Sequence, residues 1–370
     1  MPHISSQYDP VFYWIIGLGL HFFGPQFWFG RAASALAAAV ILWCLGIIVR
    51  QFSPRSESSL IARFCFLGWL PLQIFIANQK SDLPALAIGI LAITGALALK
   101  RRATAVIIVS LLVPLAFFTR RSEFIPLAIA PLLLAQRFGW WWGLWSGVCS
   151  LSIIATGSWL LDYTSAGGYA WQVWGLQAEV PRSLSLMLTH AGAVAMSPAT
   201  LALAAIAVFF AWRLSDELRR QFKNSQALET IFFIANNSRL AIFLYIILAA
   251  GLAFFGASLD GSNLNYFLET GAALAILAGV AWDDVEAIIS PRVRILFLTT
   301  VMLGATLTFL RVGRGEFFRW AGENGSGGGV AYLDEMVGLA RQNLRAGDSC
   351  ISTRLEMAVW SGCRAAFNFV

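Results

Sequence analysis

About ten apolar runs dominate the chain, at residues 32–49, 60–77, 83–99, 104–119, 123–136, 139–161, 192–212, 239–256, 264–282 and 293–310. A helix needs roughly 17–25 apolar residues to cross a bilayer, so most of these runs are long enough to span. The run at 123–136 is short enough to be half-buried. Inside lipid every backbone N–H and C=O must be satisfied within the protein, which leaves helices as the solution for such runs. The predicted fold class is therefore an all-α polytopic membrane protein, a bundle of about ten transmembrane helices. Composition agrees: 12% of residues are charged, against about 25% in soluble domains. The 15 Trp and 28 Phe suit side chains that sit at bilayer interfaces. Residues 11–23, "VFYWIIGLGLHFF", are too short to span comfortably and read as a helix lying along the surface.

The net charge of +6 is no nucleic-acid signal, because in a membrane protein the placement of Lys and Arg carries the information. With the loops assigned to alternate sides, Arg50, Arg55, Lys100, Arg101, Arg102, Arg137, Arg213, Arg219, Arg220, Lys223, Arg292 and Arg294 fall on one side. Arg31, Lys80, Arg120, Arg121 and Arg182 fall on the other before the tail. The positive-inside rule makes the first side cytoplasmic. The amino terminus and the tail beyond 310 are then expected outside, in a bacterial cytoplasmic (inner) membrane. No cleavable signal peptide is visible in "MPHISSQYDP". An outside amino terminus has no preceding span to drive its translocation, and the expectation is that an upstream helix is missing from the sequence.

The chain divides into a membrane domain, 1–310, and an outer tail, 311–370, expected to be small, α/β and incomplete. "ENGSGGG" (323–329) is a flexible linker. "VAYLDEMVGLARQNLR" (330–345) has helical spacing, and "SCIST" (349–353) has the look of a strand. Cys44, Cys65 and Cys149 lie in spans as small packing residues. Cys350 and Cys363 share the tail, where an oxidising compartment permits a disulfide.

Charges beside spans are costly, by about 2.5–3.5 kcal/mol each, and mark function by default. Four clusters share the outer side: Lys80-Ser81-Asp82, Thr119-Arg120-Arg121-Ser122-Glu123, Arg31, and the stretch "LDGSNLNYFLE" (259–269). Together they supply cations for a phosphate and carboxylates for proton transfer or sugar hydroxyls, Arg being the better bidentate partner for phosphate. The bland alternative is that the basic residues snorkel to headgroups and pair with nearby acids. Ser262 or Asn263 can cap the helix that follows, whose amino end attracts phosphate. Asn265 and Glu269 are four apart and share a face, with Tyr266 beside them. Glu269 either lines a site or makes a structural ion pair with a neighbouring span. In the loop 162–182, Tyr163, Tyr169, Trp171 and Trp174 read as an interfacial belt or as stacking faces for a sugar or prenyl chain. On the inner side, 212–229 is a basic amphipathic connector suited to anionic headgroups. Asp283, Asp284 and Glu286 make a weak metal signal, and His190 reads as structural.

"YDPVFYWIIGLGLHFFGPQFWFGRAASALAAAVIL" (8–42) resembles the segment after the first outer loop of bacterial GT-C glycosyltransferases, the relatives of protein O-mannosyltransferases and of the aminoarabinose transferase that modifies lipid A. The resemblance rests on Tyr8, Pro10, Phe12, Tyr13, Phe23, Gly24, Pro25 and Arg31. "KSDLPALAIGILAI" (80–93) is similar to the group's Arg-x-Asp-x-Leu-Ala pattern, with Asp82 as the acid. "LAFFTRRSEFIPLAIAPLL" (115–133) resembles its Thr-Lys-Gln segment, with Arg120 at the Lys position. "GSNLNYFLE" (261–269) resembles a segment of uncharacterised bacterial members.

The resemblance implies transfer of a sugar from a polyprenyl-phosphate carrier to a protein, lipid or glycan acceptor at the outer membrane face. Arg120, Arg121, Lys80 and Arg31 would bind the donor phosphate. Asn263, Asn265, Tyr266 and Glu269 would line the sugar and acceptor pocket. The group's acceptor-activating carboxylate lies upstream of the Tyr-x-Pro segment, beyond Met1, leaving Asp9 and Asp82 as catalytic candidates and an inactive protein as the expectation if the chain is this short. No cofactor is certain; a divalent metal is compatible. Expected partners are the lipid-linked donor, membrane lipids and the acceptor, with no nucleic acid. The alternatives are a transporter or flippase of lipid-linked glycans, for which broken helices near the midplane and repeated halves are the usual signs, and a non-catalytic relative. No internal repeat is evident.

Overall fold

In the computed structural model, the described residues are 10–23, 27–76, 80–196, 238–259, 263–286, parts of 200–219 and 290–310, and the pairs 349–350 and 364–365. Asp9, Cys363 and most of the 212–229 connector lie outside them. The molecule is an all-α polytopic membrane bundle. Five helices are long and apolar enough to cross a membrane, and five shorter apolar helices accompany them. In chain order the elements are α1 (Pro10–Phe23), α2 (Phe27–Arg50), α3 (Ser56–Leu67), α4 (Leu70–Phe75), α5 (Asp82–Ala98), α6 (Arg102–Thr119), α7 (Ile125–Phe138) and α8 (Trp140–Thr164). Then follow α9 (Leu184–Ala195), α10 (Ser238–Ala257), a 3₁₀ turn (Leu264–Phe267), α11 (Leu268–Glu286) and α12 (Arg294–Leu307). Ser349–Cys350 pairs in parallel with Arg364–Ala365, so the strand expected at "SCIST" is present as a two-residue ladder.

Punctuation in the sequence sets many boundaries. Pro71 and Pro126 stand in the first turns of α4 and α7, where a missing N–H costs nothing. Between α7 and α8 the chain reverses through Gly139 at φ +102°, a conformation that favours glycine. The apolar run at 60–77 is not one helix. It stops at Leu67 and restarts at Leu70, with Trp69 extended between. A break inside lipid needs its polar groups satisfied from elsewhere. Here the Gln73 amide donates to the Leu67 carbonyl (2.8 Å) and the Ala305 carbonyl of α12 (3.3 Å). The Trp69 indole N–H donates to the Phe267 carbonyl (2.9 Å).

Helix α11 is the bundle's axis. It packs on α2, α3, α5 and α10, and its Ala272, Ala273, Ala275, Ala278 and Ala281 are all fully buried. Small residues let membrane helices approach closely, where dispersion contacts replace the missing hydrophobic drive. At Gly279 an added Cβ would press on the Ser58 carbonyl of α3, and at Gly271 it would fall inside the Trp69 indole. Helix α8, by contrast, turns Trp140, Trp141, Trp145 and Trp159 outward. It is a rim helix with its aromatic residues toward both ends, as interface-seeking side chains require. The segment 11–23 forms α1, whose buried Phe12 and Ile16 mark its inward face and which packs on α2 and α6.

Replacing Trp69 with Phe keeps the ring and removes the donor, leaving the Phe267 carbonyl unpaired in the core. The expected cost is about 1–3 kcal/mol, read as a lower midpoint of thermal unfolding in detergent.

Candidate functional site

The start of α5, the end of α6 and the 3₁₀ turn before α11 meet at one end of the bundle, and they bring polar side chains into its interior. Asp82 stands in the first turn of α5 at 1% exposure. The amino end of a helix favours a carboxylate, but burial this deep demands partners as well. Asp82 has two. Its Oδ1 accepts from Arg120 Nη1 at 2.8 Å and from Asn265 Nδ2 at 2.7 Å. Arg120 is the residue on which α6 ends, in extended conformation. Its guanidinium also lies over the Tyr266 ring, 5.0 Å from the centroid. Ion pair, hydrogen bond and cation–π contact thus tie three elements, drawn from residues 82, 120 and 265–266, around one guanidinium.

Two more carboxylates complete the cluster. Glu123 belongs to the turn after Arg120, its N–H bonded to the Arg120 carbonyl, while α7 starts only at Ile125. It is 3% exposed, and its Oε1 stands 3.9 Å from Arg120 Nη1. Burial pushes its carboxyl up to about 7, against the pull of the Arg120 charge and with a further push from Asp82. Glu269, 4% exposed in the first turn of α11, lies near enough to Glu123 and Arg120 to feel their charges, with the buried Tyr245 hydroxyl of α10 beside it. Three buried carboxyl groups therefore share the field of one guanidinium. Several buried oxygens here have no hydrogen-bond partner among the described residues: Asp82 Oδ2, Glu123 Oε2, Glu269 Oε1 and Asn265 Oδ1. Unpaired buried acceptors are rare in native proteins. A group of them beside a cation is chemically suited to a ligand that brings both hydroxyl donors and negative charge.

The residues singled out from the sequence separate into two sets. Asp82, Arg120, Asn265, Tyr266 and Glu269 converge. Asn263 is exposed at the cap of the 3₁₀ turn, where its Oδ1 accepts from the Leu264 N–H at 2.7 Å. Arg121 is half-buried in the same turn as Arg120. Lys80, half-buried, places its ammonium 5.3 Å from the Phe75 ring centroid. Arg31 is exposed in the first turns of α2, and no described ion pair or hydrogen bond joins it to the cluster. Asp9, and Cys363 with its disulfide, lie outside the described residues. Tyr245 was not legible as a site residue, since a single Tyr inside "LAIFLYIILAA" looks like any interfacial aromatic. Glu123 was visible within a charged turn, but nothing in the sequence put its side chain under Arg120.

Among the described residues no three His, Cys, Asp or Glu side chains are arranged to hold a metal ion. One oxygen of Asp82 is engaged by both Arg120 and Asn265. At the far end of the bundle Asp284 of α11 is engaged as well, 3.3 Å from Arg239 of α10.

No family model and no curated protein matches the sequence. The structure does have solved counterparts. ArnT from Cupriavidus metallidurans, bound to undecaprenyl phosphate, superposes with TM-score 0.63 at 14% identity, over 98% of this chain and 75% of that one. The Archaeoglobus fulgidus oligosaccharyltransferase in complex with Zn and sulfate gives TM-score 0.54 at 12% identity, over 98% and 55%. The oligosaccharyltransferase AglB of that archaeon, in complex with an inhibitory peptide and a dolichol-phosphate, gives 0.56 at 11%, over 99% and 57%. The chain spans three quarters of the length of the first and little more than half of the other two. It shares the fold of these three proteins, the fold that the sequence resemblance implied.

Because Glu123 titrates higher in the folded protein than its ordinary 4.5, it binds its proton more tightly when folded. Its contribution to stability is fully present below about pH 4.5 and is lost as pH rises to about 7. Glu123→Gln is expected to flatten the fall in unfolding midpoint across that window. Parallel profiles for wild type and variant would overturn the assignment.

Proposed function

We propose that the protein is a membrane glycosyltransferase that moves a sugar from a polyprenyl-phosphate carrier to a protein, lipid or glycan acceptor at the outer face of a bacterial cytoplasmic membrane. The observation that carries the proposal is the buried Asp82–Arg120–Asn265 group with Tyr266 against it, in a fold similar to two proteins solved with polyprenyl-type phosphates, ArnT with undecaprenyl phosphate and AglB with dolichol-phosphate. The distribution of Lys and Arg supports the orientation, with the site, the amino terminus and the 311–370 tail outside and residues 1–310 as the catalytic membrane domain.

The reaction is one displacement at the anomeric carbon. The acceptor oxygen forms a bond to that carbon as the bond to the phosphate oxygen breaks. The acceptor proton goes to a carboxylate, and the carrier phosphate leaves with the bonding pair. Arg120 meets the charge that grows on the departing phosphate, with Arg121 beside it and Lys80 and Arg31 drawing the anion in. Preorganised charge of this kind is the largest catalytic contribution in many enzymes. Asp82 holds the guanidinium in place. Asn263, Asn265 and Glu269 border the sugar, and the unpaired acceptors of Asp82, Glu123 and Glu269 suit sugar hydroxyls. Trp171 and Tyr163, both exposed, suit the prenyl chain or a sugar face.

The test is transfer of radiolabelled sugar from a polyprenyl-phosphate donor by the protein reconstituted in liposomes. Arg120→Lys keeps a charge for Asp82 and loses the fork, and is expected to lower turnover by about 10²–10³. Arg120→Ala is expected to abolish transfer and to destabilise the fold by about 3–5 kcal/mol, since it strands a buried carboxylate. Movement of labelled lipid across the bilayer without covalent transfer would assign a flippase instead.

A further inference from the structure

The ring of Tyr266 lies against two neighbours. One neighbour is the guanidinium, 5.0 Å from the ring centroid. The other is the backbone of Gly256 near the carboxyl end of α10, where an added Cβ would fall inside the Tyr266 ring. Gly256 has an ordinary helical environment and is not needed for its φ, as positive φ among the described glycines occurs at Gly139 and Gly167. Its use is therefore space.

The surroundings of Gly256 are held from outside. Arg182 stacks on the Phe255 ring at 3.8 Å and bridges to Leu259. The Ser183 N–H donates to the Ser258 carbonyl at 2.7 Å. On the opposite side of the turn, Phe267 stands edge-on to Phe254 at 5.7 Å, and its carbonyl takes the Trp69 indole N–H. The ring of Tyr266 thus lies against a backbone that is fixed from outside and against the guanidinium that Asp82 holds.

We infer that Tyr266 and Gly256 are positioning residues for Arg120: the glycine leaves room for the ring, and the ring fixes the plane of the guanidinium whose edge Asp82 holds. This rests on the phosphate-binding role of Arg120 for its effect on ligand, and on packing alone for its effect on the ion pair. An arginine's fork binds phosphate through oriented donors, so its plane matters as well as its charge. Loss of the shelf is expected to lower affinity without removing any group that touches the lipid head through its charge.

Two measurements test it. In the first, the affinity of the full chain for undecaprenyl phosphate is measured in detergent for wild type, Gly256→Ala, Tyr266→Leu and the double variant. Each single change is expected to weaken binding by about tenfold, and the double variant by no more than either alone, because residues that act as a unit are not additive. Tyr266→Phe, which keeps the ring, is expected to recover most of the affinity lost in Tyr266→Leu. In the second, unfolding midpoints of Asp82→Asn, Tyr266→Leu and their combination are compared without lipid; both act through Arg120, so their effects are expected to fall short of the sum. Additive midpoints, or a Gly256→Ala protein that binds as wild type, overturn the inference. Coupled midpoints in a protein whose wild type does not bind undecaprenyl phosphate would leave the positioning role standing and remove the phosphate reading.

Discussion

An ionised carboxylate inside an apolar bundle must be compensated where it stands, and much of this structure serves that requirement at Asp82. The compensation comes from residues far apart in sequence: Arg120 from the end of α6 and Asn265 from the turn before α11. Neither reaches Asp82 unless α5, α6 and α11 pack side by side in the right vertical register. A shift of α5 by a single turn, about 5.4 Å, would part Asp82 from both partners and strand it in low dielectric. The polar cluster therefore fixes the register of helices whose apolar faces would tolerate sliding. Small residues on α11 then fix how closely they approach.

That arrangement joins stability to chemistry. A buried pair of this type adds little net stability over an apolar replacement, although breaking it is costly. Its retention here is accounted for by what it holds ready, a guanidinium oriented by an ion pair on one side and an aromatic ring on the other, next to acceptors with no protein donor. Burial, with a further push from Asp82, raises the Glu123 carboxyl in spite of the neighbouring Arg120 charge.

Much of the architecture could be read directly from residue patterns. Apolar runs located most helices within a few residues, since the bilayer imposes a length and backbone satisfaction imposes helicity. The charged fragments at 80–82, 119–123 and 259–269 were legible as candidates because polar groups are rare in such a chain, and alternation of loops put them at one end. What composition could not supply was pairing. That Arg120 points to Asp82, and Tyr266 to Arg120 more than to a sugar, depends on side-chain directions set by packing across 38 residues in the first case and 146 in the second. The interruption at Gly68-Trp69 was hidden for a related reason: "FCFLGWLPLQIF" is apolar but for Gln73, and the remote groups that make the break tolerable come from Phe267 and Ala305.

Those two remote contacts bear on how the chain is made. Gln73 and Trp69 enter the membrane early in synthesis, while the carbonyls that complete them lie 232 and 198 residues downstream. Through most of translation the interrupted segment of α3 and α4 must keep its polar groups near water or temporary partners, because lipid offers none. The break is therefore closed only in the assembled bundle, once α11 and α12 have brought the Phe267 and Ala305 carbonyls to Trp69 and Gln73.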